Sequence, residues 1–204
     1  MADRFKRCGA AILCGGRSRR MGLDKALHLH RRDGRLLLSY LAGELAARFG
    51  ETVLLVNDPA KLEPIPDLRG YGRVTDLYPG SGPAGAIYSA LAARPGRRFF
   101  VMACDQMVID WDLLGAMLER MTATEAEAVV PRHGGFLEPL YAFYGPGAET
   151  VLAGNLNQGL RSIRSIYPFL KIEYYDLSAS DLKPGLFDNF NRPEEAARAG
   201  LVIK

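Results

Sequence analysis

The sequence is short of cysteine, histidine, charge imbalance and long apolar runs. Its 204 residues include three cysteines and three histidines. Cys8, Cys14 and Cys104 contain no C-x-x-C pair and are odd in number, which argues against a disulfide framework or a structural zinc site. No apolar run is long enough to span a bilayer. Met1-Ala2-Asp3-Arg4-Phe5-Lys6-Arg7 lacks the apolar region of a signal peptide. These absences lead us to expect a cytoplasmic chain without a membrane partner. A net charge of +3 is too small to make nucleic acid a main partner. There is no internal repeat and no low-complexity tract. Two phosphate-binding fingerprints are missing as well. The chain has no G-x-G-x-x-G, and Gly16 and Gly22 are not followed by Lys-Ser/Thr as in a P-loop.

What is present is an ordinary globular composition, 48% hydrophobic and 24% charged, long enough for one α/β domain over residues 1–204. Its organising stretch is Ala11-Ile12-Leu13-Cys14-Gly15-Gly16-Arg17-Ser18-Arg19-Arg20-Met21-Gly22-Leu23-Asp24-Lys25. A buried strand breaks there into a loop with paired glycines, three arginines and a lysine. Glycine lets backbone N–H groups approach a ligand closely. Guanidinium groups bind phosphate oxygens bidentately and a lysine adds a point charge. The glycines alone fit a mobile basic turn; the complete run points to phosphate.

Further along, Leu37, Leu41, Leu45 and Phe49 repeat at helical spacing, with Gly50 as a stop. Thr52–Val56 reads as a buried strand, Arg73–Thr75 as a short third strand and Arg98–Cys104 as a fourth. A glycine-rich turn from Pro79 to Gly85 opens the helix carrying Ile87 and Leu91. Asp110 caps a helix with Leu114, Leu118 and Met121 on one face. Val129-Val130 and Pro139–Tyr144 read as strands, and Ala148–Ala153 and Leu160–Ile166 as helices. Ile172–Leu177 reads as an edge strand. A final helix starts near Pro193. Residues 28–34 read as an irregular stretch or short hairpin. Alternating strands and helices imply a Rossmann-like three-layer α/β/α fold with a mostly parallel sheet, and antiparallel strands entering late.

Polar residues follow four strands: Gly15, Asn57, Asp76 and Asp105. The carboxyl ends of parallel strands share one edge, where ligands bind. Any one of the four alone is a common turn former; together they outline a site. Asn57 or Asp76 can accept from the donor edge of a base, and guanine demands such an acceptor. Lys25 and the arginines can neutralise a triphosphate. Asp105 is acceptor-only and can hold Mg²⁺ against phosphates. His28 and His30 lack a third metal ligand. His133, beside two glycines, reads as a loop residue, Glu138 as a solvated carboxylate and Trp111 as packing.

The organising stretch closely resembles the L-x-G-G-x-S-x-R-M-G-x-D-K signature of the molybdenum cofactor guanylyltransferases, in the nucleotidyltransferase superfamily. Cys14 stands where that family usually has alanine, and both are small. Gly80-Ser81-Gly82-Pro83-Ala84-Gly85 resembles the family's G-P-L-A-G, with Ala84 for leucine. Phe187-Asp188-Asn189-Phe190-Asn191-Arg192-Pro193-Glu194-Glu195 is similar to F-x-N-x-N-T-P-E-E, with Arg192 for threonine. The resemblance implies a nucleotide-diphospho-sugar transferase-type fold. It implies guanine-nucleotide contacts at Leu13, Gly15, Lys25, Asn57, Asp76 and Asp105, with Cys14 and Gly16 in the same run, and Mg²⁺ at Asp105. Asn189 and Asn191 fall on the pterin side. Lys25, Asp105 and Arg20 are the expected catalytic residues.

The implied reaction moves GMP from GTP to the phosphate of molybdopterin. Molybdenum-insertion proteins and molybdoenzyme chaperones are the implied protein partners. Three alternatives stay open: a molybdopterin cytidylyltransferase, whose motif usually has alanine at the position of Gly16; a sugar-phosphate nucleotidyltransferase; and a non-catalytic nucleotide- or cofactor-binding protein. Retention of Lys25 and Asp105 weighs against the last.

Overall fold

A computed structural model describes residues 2–14, 24–190 and 192–204. Ten strands and six α-helices follow in the order β1 (Gly9–Leu13), α1 (Lys25–His28), β2 (Leu29–Arg31), α2 (Leu37–Ala46), β3 (Glu51–Val56), β4 (Gly72–Thr75), α3 (Gly82–Ala92), β5 (Phe99–Ala103), α4 (Trp111–Thr124), β6 (Ala128–His133), β7 (Phe136–Leu137), β8 (Tyr141–Tyr144), α5 (Pro146–Asn157), β9 (Ile172–Leu177), α6 (Pro193–Arg198) and β10 (Leu201–Ile203) among the described residues.

Eight strands form the main sheet, in the order β4-β3-β1-β5-β8-β6-β7, with β9 paired to β6. β1 is buried along its whole length between two parallel neighbours, which is why it carries apolar side chains on both faces. Ala10 and Ile12 join Leu37, Leu41 and Leu45 of α2 and Leu114 and Met117 of α4 in one core layer. Ala11 and Leu13 join Ile87 and Leu91 of α3 and Leu152 of α5 in the other. Two core layers with helices outside them make the three-layer α/β/α architecture expected from the sequence. The late antiparallel element is β8, which runs against both β5 and β6. β9 is the edge strand, parallel to β6.

Several local expectations change. The helix expected to reach Phe49 ends at Ala46, and Phe49 packs into the core from the turn beyond it. Gly50 then passes so close to the Lys6 carbonyl that a side chain would collide with it, and its N–H donates to the Cys8 carbonyl. The segment expected as a helix over Leu160–Ile166 is a 3₁₀ turn over Ile163–Phe169. Side chains replace the helical ladder there: Asn155 Nδ2 donates to Ser165 Oγ, which donates to the Ser162 carbonyl. The short hairpin expected at residues 28–34 forms, with His30 bridged antiparallel to Leu36, but residues 29–31 have a further partner. They pair antiparallel with Leu201–Ile203 in a second, two-stranded sheet.

Candidate functional site

The sheet register builds the site. Leu13 at the end of β1 lies opposite Leu55 of β3 and Ala103 of β5. Val56 lies opposite Thr75 at the end of β4. Cys14, Asn57, Asp76 and Asp105, one or two residues beyond these positions, therefore emerge along one edge. They line a single cleft of about 760 Å³ together with Leu13, Lys25 and Asn189. Six of the seven come from the four strand ends and the start of α1; Asn189 comes from the opposite end of the sequence. Gly15, Gly16 and Arg20, in the basic loop, and Asn191 lie outside the described residues.

Lys25 and Asp105 meet in this cleft. Lys25 Nζ donates to Asp105 Oδ2 at 2.6 Å, with side chains 13% and 12% exposed. A charge-assisted bond of that length, largely withdrawn from solvent, fixes both groups. Eighty residues of sequence separate them, so the contact depends on β1 and β5 being neighbours. Gln106, almost fully buried, accepts from the Ala103 N–H at 3.1 Å through its side-chain oxygen. That bond closes the end of β5 and sets where Asp105 leaves it. Asp24 was not among the sequence candidates, yet it lines the cleft, caps α1 through Ala26 N–H at 3.2 Å and takes Lys61 Nζ at 3.3 Å. Its place immediately before Lys25 was the available signal.

Asp76 is held differently. Its Oδ1 accepts from the Tyr78 N–H at 2.9 Å, and a Cβ on Gly85 would come within 2.7 Å of the same oxygen. Gly85 is therefore glycine because the first turn of α3 packs directly on the carboxylate. Partial burial pushes the Asp76 carboxyl above its ordinary value, and the Tyr78 N–H only partly offsets that. Gly82 and Pro83, at the start of α3, line the cleft beside Asp76. A helix start of this kind presents backbone N–H groups to an anion. Asn57 is exposed at the end of β3. Asn189, exposed at the far wall, donates from Nδ2 to the Phe187 carbonyl at 3.3 Å.

Cys14 and Cys104 are buried in the cleft floor. Burial pushes both thiols up, so they stand as neutral packing groups rather than nucleophiles. Trp111 packs as expected, against Phe5 and Phe49 with Arg48 over its ring at 4.1 Å. His133 and Glu138 differ from expectation. His133 is the last residue of β6 rather than a loop residue, and Glu138 is a paired carboxylate rather than a solvated one. His133 Nε2 lies 2.9 Å from Glu138 Oε1, with side chains 24% and 18% exposed.

Comparison with known proteins places the chain in a family. Residues 10–171 match the family described as the MobA-like NTP transferase domain. A probable molybdenum cofactor guanylyltransferase from Pelotomaculum thermopropionicum is 31% identical over 95% of this chain and 92% of its own. One from Methanothermobacter thermautotrophicus is 32% identical over 91% of this chain and 95% of its own. The crystal structure of a molybdopterin-guanine dinucleotide biosynthesis protein A from Archaeoglobus fulgidus superposes with a TM-score of 0.78 at 26% identity, covering 94% of this chain and 96% of that one. A parallel sheet whose strand ends deliver a lysine, three acidic or amide side chains and a helix start to one cleft thus has relatives along nearly its whole length, and the chain belongs to the MobA-like NTP transferase family, whose members are nucleotidyltransferases.

Proposed function

We propose that this nucleotidyltransferase transfers GMP from GTP to the phosphate of molybdopterin, giving molybdopterin guanine dinucleotide and pyrophosphate. The observation that carries the reading is the Lys25–Asp105 pair at the centre of a cleft with Asp76 and Asn57 on one wall and Asn189 on another. Residues 1–204 are read as one nucleotidyltransferase domain. Relatives named guanylyltransferases support the base and the acceptor.

In the reaction, an oxygen of the molybdopterin phosphate attacks the α-phosphorus of GTP. A new P–O bond forms there. The bond from that phosphorus to the bridging oxygen breaks, and pyrophosphate leaves with the electron pair. A phosphate nucleophile is already ionised at neutral pH, so no Ser/His/Asp machinery is needed. The chain contributes alignment and charge. Lys25, and Arg20 of the basic loop, meet the charge on the transferring phosphate. Leu13 and Cys14 line the nucleotide's part of the cleft, and Gly15 and Gly16 of the same run are assigned to the nucleotide with them. Asp76 and Asn57 accept from the guanine edge. Asn189 and Asn191 hold the acceptor.

The donor set at Asp105 fits Mg²⁺. It is an oxygen ligand in the cleft. Mg²⁺ binds through one or two carboxylates and completes its shell with water and substrate phosphates. Held at Asp105, it would neutralise charge on the triphosphate. No helix among the described residues is long and apolar enough to cross a membrane, and a cytoplasmic enzyme that exchanges cofactor with molybdenum-insertion proteins and molybdoenzyme chaperones is the setting we propose.

The test is parallel incubation of GTP and CTP with molybdopterin and Mg²⁺, with the product identified by mass. The guanine dinucleotide is expected. Calorimetry should show GTP binding roughly 5- to 150-fold more tightly than CTP, since an unpaired buried hydrogen-bonding group costs about 1–3 kcal/mol. Equal affinities, or a cytosine dinucleotide as the main product, would overturn the base assignment.

A further inference from the structure

The four strand ends of the site belong to β1, β3, β4 and β5, but the sheet has a further parallel strand in the same direction. β8 runs antiparallel to both β5 and β6, so β6 points the same way as β5 and its carboxyl end reaches the same edge. β6 ends at His133. Gly134 and Gly135, both with positive φ, turn the chain back so that His133 pairs with Phe136 and Glu138 follows β7. The Glu138 N–H donates to the Pro131 carbonyl at 3.0 Å, which anchors the backbone that aims its carboxylate at His133.

The His133 ring has a second partner. It stacks on Phe187 with centroids 4.8 Å apart and planes 17° apart. Phe187 also meets the buried Tyr141, edge-on at 5.4 Å. Tyr141 in turn accepts from the Asp110 N–H at 2.7 Å through its hydroxyl oxygen. Asp110 holds Lys183 at 2.7 Å, which pins the start of the same segment. Phe187 therefore sits between an imidazole fixed by a carboxylate and a phenol fixed by a helix cap. Two residues on, Asn189 lines the cleft, and its amide donates back to the Phe187 carbonyl. Moving Phe187 moves Asn189.

We propose that His133 and Glu138 are positioning residues for the acceptor: they hold Phe187 so that Asn189 faces the bound phosphorylated pterin. The inference rests on the acceptor side of the function proposed above. It explains why a histidine–carboxylate pair with 24% and 18% exposed side chains stands at the end of a parallel strand without lining the nucleotide cleft. The pair acts on the acceptor wall and leaves the nucleotide wall, built by Asn57, Asp76 and α3, in place.

The experiment is steady-state pyrophosphate release by the full chain, with GTP and molybdopterin varied in turn, for wild type, His133→Ala and Glu138→Gln. GTP affinity is measured separately by calorimetry, and melting temperature checks folding. His133→Ala removes a ring stack and the Glu138 contact together, so KM for molybdopterin should rise about tenfold while GTP affinity stays within about twofold of wild type. Glu138→Gln keeps a hydrogen-bonding oxygen and should show a smaller rise in the same parameter alone. His133→Phe, which restores the stacked ring, should recover much of the loss. An unchanged KM for molybdopterin in folded His133→Ala would overturn the inference, and so would an equal loss of GTP affinity. Failure of the function itself would appear elsewhere, as wild-type protein that binds GTP but releases no pyrophosphate with molybdopterin.

Discussion

Asp105→Asn is the sharpest single perturbation of the site. The change keeps shape and one carbonyl oxygen, and removes the charge that faces Lys25 Nζ at 2.6 Å. Both side chains are only about one-eighth exposed, so the pair lies nearer the buried than the surface limit. Removing one partner of a fully buried pair costs roughly 3–5 kcal/mol, and a surface pair is worth about 0–1. The asparagine oxygen still accepts from Lys25, which places the expected loss at about 2 kcal/mol. For a chain of this length that lowers the melting temperature by about 4–8 °C and leaves the protein folded. The residue is 9% exposed, so its replacement registers in stability as well as in turnover.

The effect on turnover should be much larger. Loss of one preorganised charge contact at a transferring phosphate slows reaction by about a hundred- to a thousandfold, or about 2.7–4 kcal/mol of barrier. The assay is pyrophosphate release across a magnesium titration, with circular dichroism at each point of comparison. The variant should turn over slowly and show a blunted dependence on Mg²⁺. Lys25→Ala should slow turnover over the same range with the magnesium dependence kept. Near-normal turnover in folded Asp105→Asn would mean that the reaction is centred elsewhere in the cleft.

Other outcomes follow from the walls. Gly85→Ala should lower GTP affinity by about tenfold and stability by about 1–3 kcal/mol, because the new Cβ meets Asp76 Oδ1 at 2.7 Å and the Tyr78 carbonyl at 3.0 Å; calorimetry and thermal melts check both, and wild-type affinity would show that Asp76 does not contact the base. Asp76→Asn should weaken GTP binding yet raise the melting temperature at pH 7. Burial lifts the Asp76 carboxyl above 3.8, so the native state binds its proton more tightly than the unfolded chain and loses stability as pH rises through that window. The advantage of the asparagine variant should therefore grow from pH 4 to pH 7, and a gap independent of pH would refute the assignment. Replacing Asn189 and Asn191 together with alanine should raise KM for molybdopterin and spare GTP affinity in calorimetry; the reverse pattern would invert the polarity of the site.

The parts of this fold that were legible in the sequence are those set by local chemistry. β1 and β5 are apolar on both faces because both faces are covered, and that shows in Ala10–Leu13 and Phe99–Met102 without any partner being known. Asn57, Asp76 and Asp105 could be gathered into one site because a parallel sheet turns strand ends into neighbours, so topology stood in for coordinates. Helix ends were less legible. Phe49 keeps the apolar spacing of α2 and packs like a helical residue, yet lies in the turn beyond it, so periodicity alone overran the true end at Ala46. The 3₁₀ turn over Ile163–Phe169 has apolar residues at near-helical spacing too, but it contains Pro168, its backbone bonds run from Ser165 N–H to the Ser162 carbonyl, and Asn155 and Ser165 add side-chain bonds.

What sequence could not give is pairing between distant segments that carry no signature of each other. Leu201–Ile203 is three residues long, too short for alternation to mark a strand, and it exists because β2 offers it an edge. His133 and Glu138 were weighed singly, and each alone is an ordinary polar residue near a glycine turn. Their meaning lies in a third residue, Phe187, which comes into contact only when β6 reaches the sheet edge beside the segment after β9. Asp24 is the opposite case. It was in plain view beside Lys25, but its two duties, capping α1 and holding Lys61, spend its carboxylate on structure. Capping α1 at Ala26 ties that carboxylate to the backbone on either side of Lys25, so Asp24 belongs to the cleft wall through the contacts that hold the start of α1 in place.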